Sequence, residues 1–348
     1  MVSCALVAAA LCGCGMSGIK SEKRQDSPDK VDLFSDQAPF DRPSDCRAHI
    51  RKAICLVASQ ESGGLPDNSK PRECLAGGEQ YAATFEQLYD SFPRALQQMF
   101  CSLQKIHVEK SFYATAYAKT LWIKNPEKGT WATNGGILGI RQSVLDSSID
   151  LAKWASWKEQ LPFGGASESY ALTENLPTVK THSQGASNDL LYFVVAHEFG
   201  HFFDSANDAN AHRCEGDGEQ KKCSFLPDTW AAISWEAPLI PKSGHDFPNR
   251  DRVCFYDCKQ PKIDASLMPT MYNDLATSPF LTMYGATSPY EEFADTYAYV
   301  MLSEAFDSSF KFAVPGTESY DVMKKLYSTG YLEKVSFIKN LMRDPYYP

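Results

Sequence analysis

Leu190-Leu-Tyr-Phe-Val-Val-Ala-His197-Glu198-Phe199-Gly200-His201 is an apolar run that ends in the pattern H-E-x-x-H. A run of this length and character predicts a buried helix. On a helix, residues four apart share a face, so His197 and His201 aim two imidazoles at one point. Neutral imidazole nitrogen is a zinc ligand at about 2.0–2.1 Å. Glu198 lies one residue round from the first ligand, where it reaches a water at the metal rather than the metal itself. The competing reading is a buried helix that carries two satisfied histidines, because so short a pattern also arises by chance.

Further along, the chain reads Tyr284-Gly-Ala-Thr-Ser288-Pro289-Tyr-Glu291-Glu292-Phe-Ala-Asp295-Thr-Tyr-Ala-Tyr-Val. Ser288 is placed to cap a helix, and Pro289 suits its first turn. Phe293, Ala294, Tyr297, Val300 and Met301 follow at helical spacing. Glu291 and Asp295 are four apart and share a face. A catalytic zinc takes three protein ligands and keeps a fourth position open, and two histidines with one glutamate form such a set. Glu291 is the candidate third ligand. Asp295 is the candidate acceptor for the free N–H of a ligating imidazole, which fixes its tautomer and raises its basicity. Two other readings stand beside this one. Ser288-x-x-Glu291 is also a capping box, in which Glu291 serves only the Ser288 N–H. Glu292, about 100° round the helix, is a rival ligand, although the spacing to Asp295 favours Glu291.

Taken together, the two segments resemble the gluzincin metallopeptidases, which carry H-E-x-x-H on one helix and E-x-x-x-D/E on another. Glu291-Glu-Phe-Ala-Asp295 is similar to the E-[DE]-F-A-[ED] form of the lethal-factor-like gluzincins and related bacterial zinc peptidases. In these a tyrosine stands seven residues before the ligand glutamate, a position that Tyr284 holds here. The resemblance implies Zn2+ held by His197, His201 and Glu291. It also implies Glu198 as general base, Asp295 behind a ligating histidine, and Tyr284 as hydrogen-bond donor to the oxyanion. It covers residues 110–310 in pattern, and two short motifs carry its specificity. Aspartate at 295, where close relatives often have glutamate, is a departure that shortens the reach to histidine. The fold implied is α+β: a zincin-like catalytic domain with a mixed sheet over the H-E-x-x-H helix, plus a helical lobe. In such folds the edge strand binds extended substrate by strand addition, and residues 137–141 are the candidate edge.

The metzincin continuation H-E-x-x-H-x-x-G-x-x-H is absent, since Asp204 stands at the glycine position and Asn207 at the last. Asp204 reads instead as a helix-end or hydrogen-bonding residue. His49, His107, His182, His212 and His245 have no partner spacing and read as surface or loop residues.

A chain of 348 residues, 43% hydrophobic, has material for one large domain or two modest ones. A net charge of −9, with no basic run among the aromatics, argues against a nucleic-acid partner. The first eleven residues carry no charge, and Leu11-Cys12-Gly13-Cys14 matches the bacterial lipobox of leucine, two small residues and the lipid-bearing cysteine. Residues 1–13 are therefore expected to be a lipoprotein signal peptide removed on export. Lipidated Cys14 then anchors the chain to the envelope membrane. A plain secretion signal is the alternative, and the missing positive n-region departs from both. Residues 14–45, polar and broken by prolines, read as a flexible tether. Setting aside Cys4, Cys12 and Cys14 leaves eight cysteines, and an even number in an exported chain predicts four disulfides. Pairing is expected within Cys46, Cys55, Cys74 and Cys101, and within Cys214, Cys223, Cys254 and Cys258. Cys214–Cys223 and Cys254–Cys258 are the simplest local pairs, with half a structural zinc site as the alternative for the latter.

Residues 46–110 read as a helical region stapled by cysteines. Helical patterns cover 47–59 and 83–89. Another helix starts at Ser91, with Pro93 in its first turn and Ala95, Leu96, Met99, Phe100 and Leu103 on the buried stripe. From 111 to 348 the period changes to that of the catalytic domain, with strands at 112–117 and 136–141 joined through Asn125-Pro-Glu-Lys-Gly129. Trp154 and Trp157 read as packing residues, and 165–186 as a loop. Residues 205–280 read as a long disulfide-bearing connection with one short helix at 228–235, the kind that forms a lid or a binding wall. Residues 319–328 and 332–342 read as closing helices.

The function these features predict is an exported zinc endopeptidase, lipid-anchored at the outer membrane of a bacterial envelope and acting on a protein or peptide. Two rivals remain. One is a non-catalytic zinc-binding lipoprotein, a scaffold or adhesin, in which Glu198, Tyr284 and Asp295 would have no purpose. The other is a zinc hydrolase of peptidoglycan peptide, which rests on location alone.

Overall fold

The computed structural model describes residues 39–58, 72–124, 131–146, 148–166, 170–183, 188–216, 222–256, 258, 262–343 and 345. The expected signal peptide, the tether as far as residue 38 and the connection at 125–129 lie outside these residues. The first half holds α1 (Cys46–Ala53), β1 (Ile54–Val57), α2 (Ala82–Ser91), α3 (Arg94–Cys101), β2 (Leu103–Glu109), β3 (Ala116–Lys124) and β4 (Trp131–Arg141). Next come α4 (Gln142–Asp146), α5 (Leu151–Gln160), β5 (Thr178–Ser183), α6 (Asp189–Asn207), the hairpin β6 (His212–Glu215) and β7 (Lys222–Phe225), and α7 (Ala231–Ser234). The rest is β8 (Trp235–Ala237), β9 (Ile240–Pro241), α8 (Met268–Thr277), α9 (Pro289–Ala305), β10 (Ser308–Ala313), β11 (Tyr320–Asp321), α10 (Val322–Leu326) and α11 (Leu332–Leu341). The chain is thus a mixed α+β protein.

A four-stranded sheet runs in the order β1-β2-β4-β3, parallel from β1 through β2 to β4 and antiparallel between β4 and β3. Strand β4 is therefore interior, and the expectation that residues 137–141 form the edge is corrected: the outer strands are β1 and β3. The physical reason is burial on both faces. Ile137, Leu138 and Ile140 are all buried, and a strand apolar on both faces belongs inside a covered sheet.

Residues 46–110 are not helical throughout, which corrects a second expectation. Helix α1 stops at Ala53 and the chain passes straight into β1, while Leu103, expected on a helix, opens β2. Ile54 and Leu56, then Ile106 and Val108, recur at the strand period of two. Because β1 and β2 pair into the same sheet as β4, a boundary at residue 110 falls between neighbouring strands. The helices of this region share the core too. Phe92 and Phe100 stack edge-on against Phe199 of α6 at 6.1 and 5.0 Å, and Phe92 against Tyr192 at 4.5 Å.

Disulfides Cys46–Cys101, Cys55–Cys74, Cys214–Cys223 and Cys254–Cys258 pair within the two expected groups, both simple local pairs included. Such bonds form and persist in oxidising compartments. No helix of the described residues is long and apolar enough to cross a membrane. The stretch expected as a loop at 165–186 contains β5, the edge of a second, antiparallel sheet ordered β11-β10-β5. The connection 205–280 is richer than expected, holding two hairpins and α8, with the short helix reduced to α7.

At the centre lie α6 and α9. Asn188 caps α6 by accepting from the Leu191 N–H at 3.0 Å, and Asp208 ends it in the left-handed region at φ 52°. Residues 190 to 200 of α6 are buried without a break, as befits a helix apolar all round in a core. Ser288 caps α9 and accepts from the Glu291 N–H at 3.2 Å, with Pro289 in the first turn as the sequence predicts. Two glycines allow close approach. A Cβ at Gly136 of β4 would lie 2.3 Å from the Phe202 ring of α6, and one at Gly200 would lie 2.8 Å from Cα of Ala294 on α9. The small residue inside H-E-F-G-H is thus what lets the two motif-bearing helices touch.

Candidate metal centre

All six residues singled out in the two motifs meet at the contact of α6 with α9. His197 and His201 turn Nε2 towards the same carboxylate oxygen, Oε2 of Glu291, at 3.3 and 3.4 Å. The three ligand atoms all lie within 4.8 Å of one another. Those separations carry information. A charge-assisted N–H···O contact closes to about 2.7–2.9 Å. Ligands set tetrahedrally around zinc at about 2.0–2.1 Å stand about 3.3–3.4 Å apart. Glu291 Oε2 is moreover buried and accepts no hydrogen bond among the described residues. A buried carboxylate oxygen left without a donor costs on the order of several kcal/mol unless a cation meets it. The donor set of two imidazoles and one carboxylate therefore fits zinc.

The electrostatics point the same way. Burial alone would lower the His197 imidazole, but Asp295 and Glu291 outweigh it and raise it to about 9. His201 is raised as well, with Glu291 overcoming burial. Burial opposes the charged form of Glu291, yet the two imidazoles hold its carboxyl well below the usual range. The pocket thus draws positive charge to the point where the three side chains converge.

Behind this cluster, Nδ1 of His197 stands 2.9 Å from Oδ1 of Asp295. Aspartate is long enough here because α9 lies against Gly200. Asp295 is fixed in turn by the Thr282 hydroxyl, which donates to its Oδ2. Glu198 is buried beside His197, and burial raises its carboxyl above the usual value against the pull of both histidines. The Tyr284 ring lies 5.8 Å from the His197 ring, and burial followed by Glu291 lifts its phenol well above its ordinary value, so it stays a proton donor. Glu198, His197 and Tyr284 line one side of a cavity of about 40 Å³, whose other walls come from Ala114, Thr115 and Ala116 beside β3, Trp154 and Lys158 of α5, Val194, and Tyr256.

The rival ligand Glu292 points elsewhere. It is buried against Lys334 of α11 and accepts from Nε1 of Trp235 at 2.8 Å. Asp204 serves as a hydrogen-bonding residue at the helix end, accepting from Asn210 through its main-chain and side-chain nitrogens at 2.9 and 2.8 Å. Of the other histidines, His107 departs from its expected surface position. It is buried on β2, within 3.0 Å of the Tyr117 hydroxyl, because β2 is covered on both faces. His212 approaches Cys214 and Cys223, but those sulfurs are bonded to each other across the β6–β7 hairpin.

Four side chains at the site belong to neither motif. Thr282 braces Asp295. Phe255 and Tyr256, within the loop closed by Cys254–Cys258, set their rings 4.9 and 6.3 Å from that of Tyr284. Lys158 places Nζ 3.4 Å from the centre of the Tyr284 ring. The only sequence hint for Lys158 is its position four residues after Trp154 on α5, which says nothing about a site far along the chain. Comparison with protein-family models, curated proteins and solved structures finds no match to this chain.

Proposed function

We propose that the protein is an exported zinc-dependent endopeptidase that hydrolyses peptide bonds of a protein or peptide at the bacterial envelope, held to the membrane through lipid on Cys14. The observation that carries this reading is the convergence of His197, His201 and Glu291 on one point with an unshared carboxylate, Glu198, at its side. Zinc bound by these three side chains supplies a Lewis acid that lowers the pKa of water and polarises a carbonyl oxygen. Glu198, its proton affinity raised by burial, takes the proton of the attacking water and passes it to the departing amine. Tyr284 stays protonated and donates to the developing oxyanion. Asp295, braced by Thr282, holds the Nδ1 proton of His197 and so keeps Nε2 free as a ligand. Strand β3, at the edge of the sheet, offers main-chain groups to an extended substrate.

The first test is elemental analysis of the purified chain after dialysis, followed by a peptide-library screen. The expected result is about one zinc per chain and cleavage that Glu198→Gln abolishes by several orders of magnitude while its zinc remains. No zinc after reconstitution, or a Glu198→Gln variant that cuts at the wild-type rate, overturns the reading.

A further inference from the structure

Lys158 is a buried cation with no ion pair among the described residues. It is 8% exposed, and its ammonium has no carboxylate oxygen within 4.0 Å among the described residues. What surrounds it is aromatic: the rings of Tyr284, Trp154 and Phe255 have their centres 3.4, 5.3 and 5.9 Å from Nζ. Ring faces attract a desolvated ammonium by on the order of 2 kcal/mol. Burying one costs several kcal/mol, and its three N–H donors need acceptors. Three carboxylates feel its charge, and of these Glu198 lines the same cavity without coming within 4.0 Å. Asp295 is held by His197 and Thr282, and Glu159 accepts the Tyr272 hydroxyl. Lys158 also lines the cavity that His197 and Glu198 share.

We propose that this cavity is an anion subsite in which Lys158 receives a carboxylate of the substrate, adjacent to the bond that is cut. Its volume of about 40 Å³ holds roughly three water-sized groups at about 10–15 Å³ each. Three is the number of heavy atoms in a carboxylate. An acidic side chain, aspartyl or glutamyl, next to the cut bond supplies such a group. The identity of the substrate rests on the peptidase reading above, whereas the anion site itself does not.

Two measurements on the full-length protein separate those claims. In the first, sodium acetate and neutral acetamide are titrated at constant ionic strength while tryptophan fluorescence is followed, because Trp154 lines the same cavity. A saturable change with acetate alone is expected in wild type and is lost in Lys158→Met and Lys158→Gln; acetate bound at the histidine cluster would persist in both. No acetate response in wild type, or an equal response in a folded Lys158 variant, overturns the site whether or not the protein is a peptidase. In the second, cleaved peptides are compared as Asp/Asn and Glu/Gln pairs next to the cut bond. Removing the charge that is read should lower kcat/KM by about 10- to 100-fold in wild type, and by less than about twofold in Lys158→Met. Indifference of the wild-type enzyme to both pairs overturns the substrate assignment. Absence of any cleavage refutes the peptidase reading and leaves the acetate titration to decide the site.

Discussion

Replacing Gly200 by alanine adds one methyl group at the contact between the two motif helices. The new Cβ would lie 2.8 Å from Cα of Ala294 and 3.3 Å from both its Cβ and its carbonyl oxygen. Carbon atoms rest at about 3.5–4.0 Å, so α9 must retreat by about 1 Å. Glu291 sits one turn before Ala294 on α9 and is carried with it, away from His197 and His201. Metal sites tolerate about 0.2 Å in ligand position, and the expected loss of zinc affinity is tenfold or more. The effect on stability is small by comparison. Alanine in place of a helical glycine contributes about 1 kcal/mol, and overpacking costs about 1–3 kcal/mol, leaving a net loss between zero and about 2 kcal/mol. Competition with a chromophoric chelator measures the first quantity and thermal melting of the metal-free protein the second. Ala294→Gly should not rescue the variant, because the nearest atom is Cα rather than Cβ. A Gly200→Ala protein that holds zinc as tightly as wild type, with its melting point raised, would refute the argument that this close approach sets the ligand geometry.

Three further outcomes follow from the same geometry. Glu291→Ala should abolish tight zinc binding, whereas Glu292→Ala should leave zinc in place and lower stability by several kcal/mol, because it strands the buried ammonium of Lys334; equal zinc loss in the two variants counts against the assignment. Asp295→Ala should weaken zinc 10- to 100-fold by releasing the His197 tautomer, as read by the same chelator competition, and an unchanged affinity would deny Asp295 that role. His107 should make folding sensitive to mild acid. Burial, then Arg72 and Lys105, lowers its imidazole to about 3, while the unfolded chain takes up a proton near 6.5. Its contribution is therefore fully present above about pH 6.5 and falls as pH drops towards 3, by up to about 1.4 kcal/mol per unit. Denaturant melts of wild type and His107→Gln between pH 7 and 4 should show the shallower slope in the variant, and parallel slopes would contradict a neutral buried His107.

Local pattern alone was enough for the two helices and for which of their side chains share a face. The H-E-x-x-H run is apolar on every side, so its helix had to be central. The four-residue steps from His197 to His201 and from Glu291 to Asp295 determine which side chains share a face, whatever the fold does. Ser288 and Pro289 marked the start of α9 through local backbone chemistry, and cysteine number and spacing foretold which groups would pair. What was not legible depends on neighbours distant in the chain. Whether a short apolar stretch such as residues 103–109 continues a helix or starts a strand was decided by β4, which offers it a ladder and cover on both faces. The same pairing put β4 inside the sheet, left β3 as an outer strand and buried His107. Which of the two glutamates faces the histidines was decided in space, where Lys334 and Trp235 claim Glu292 and Glu291 is left beside His197 and His201. Thr282, Tyr256 and above all Lys158 reach the site only through packing. A lone lysine on α5 has no spacing to betray it, and its ammonium becomes a feature of the site because folding carries it under the Tyr284 ring with no ion pair among the described residues.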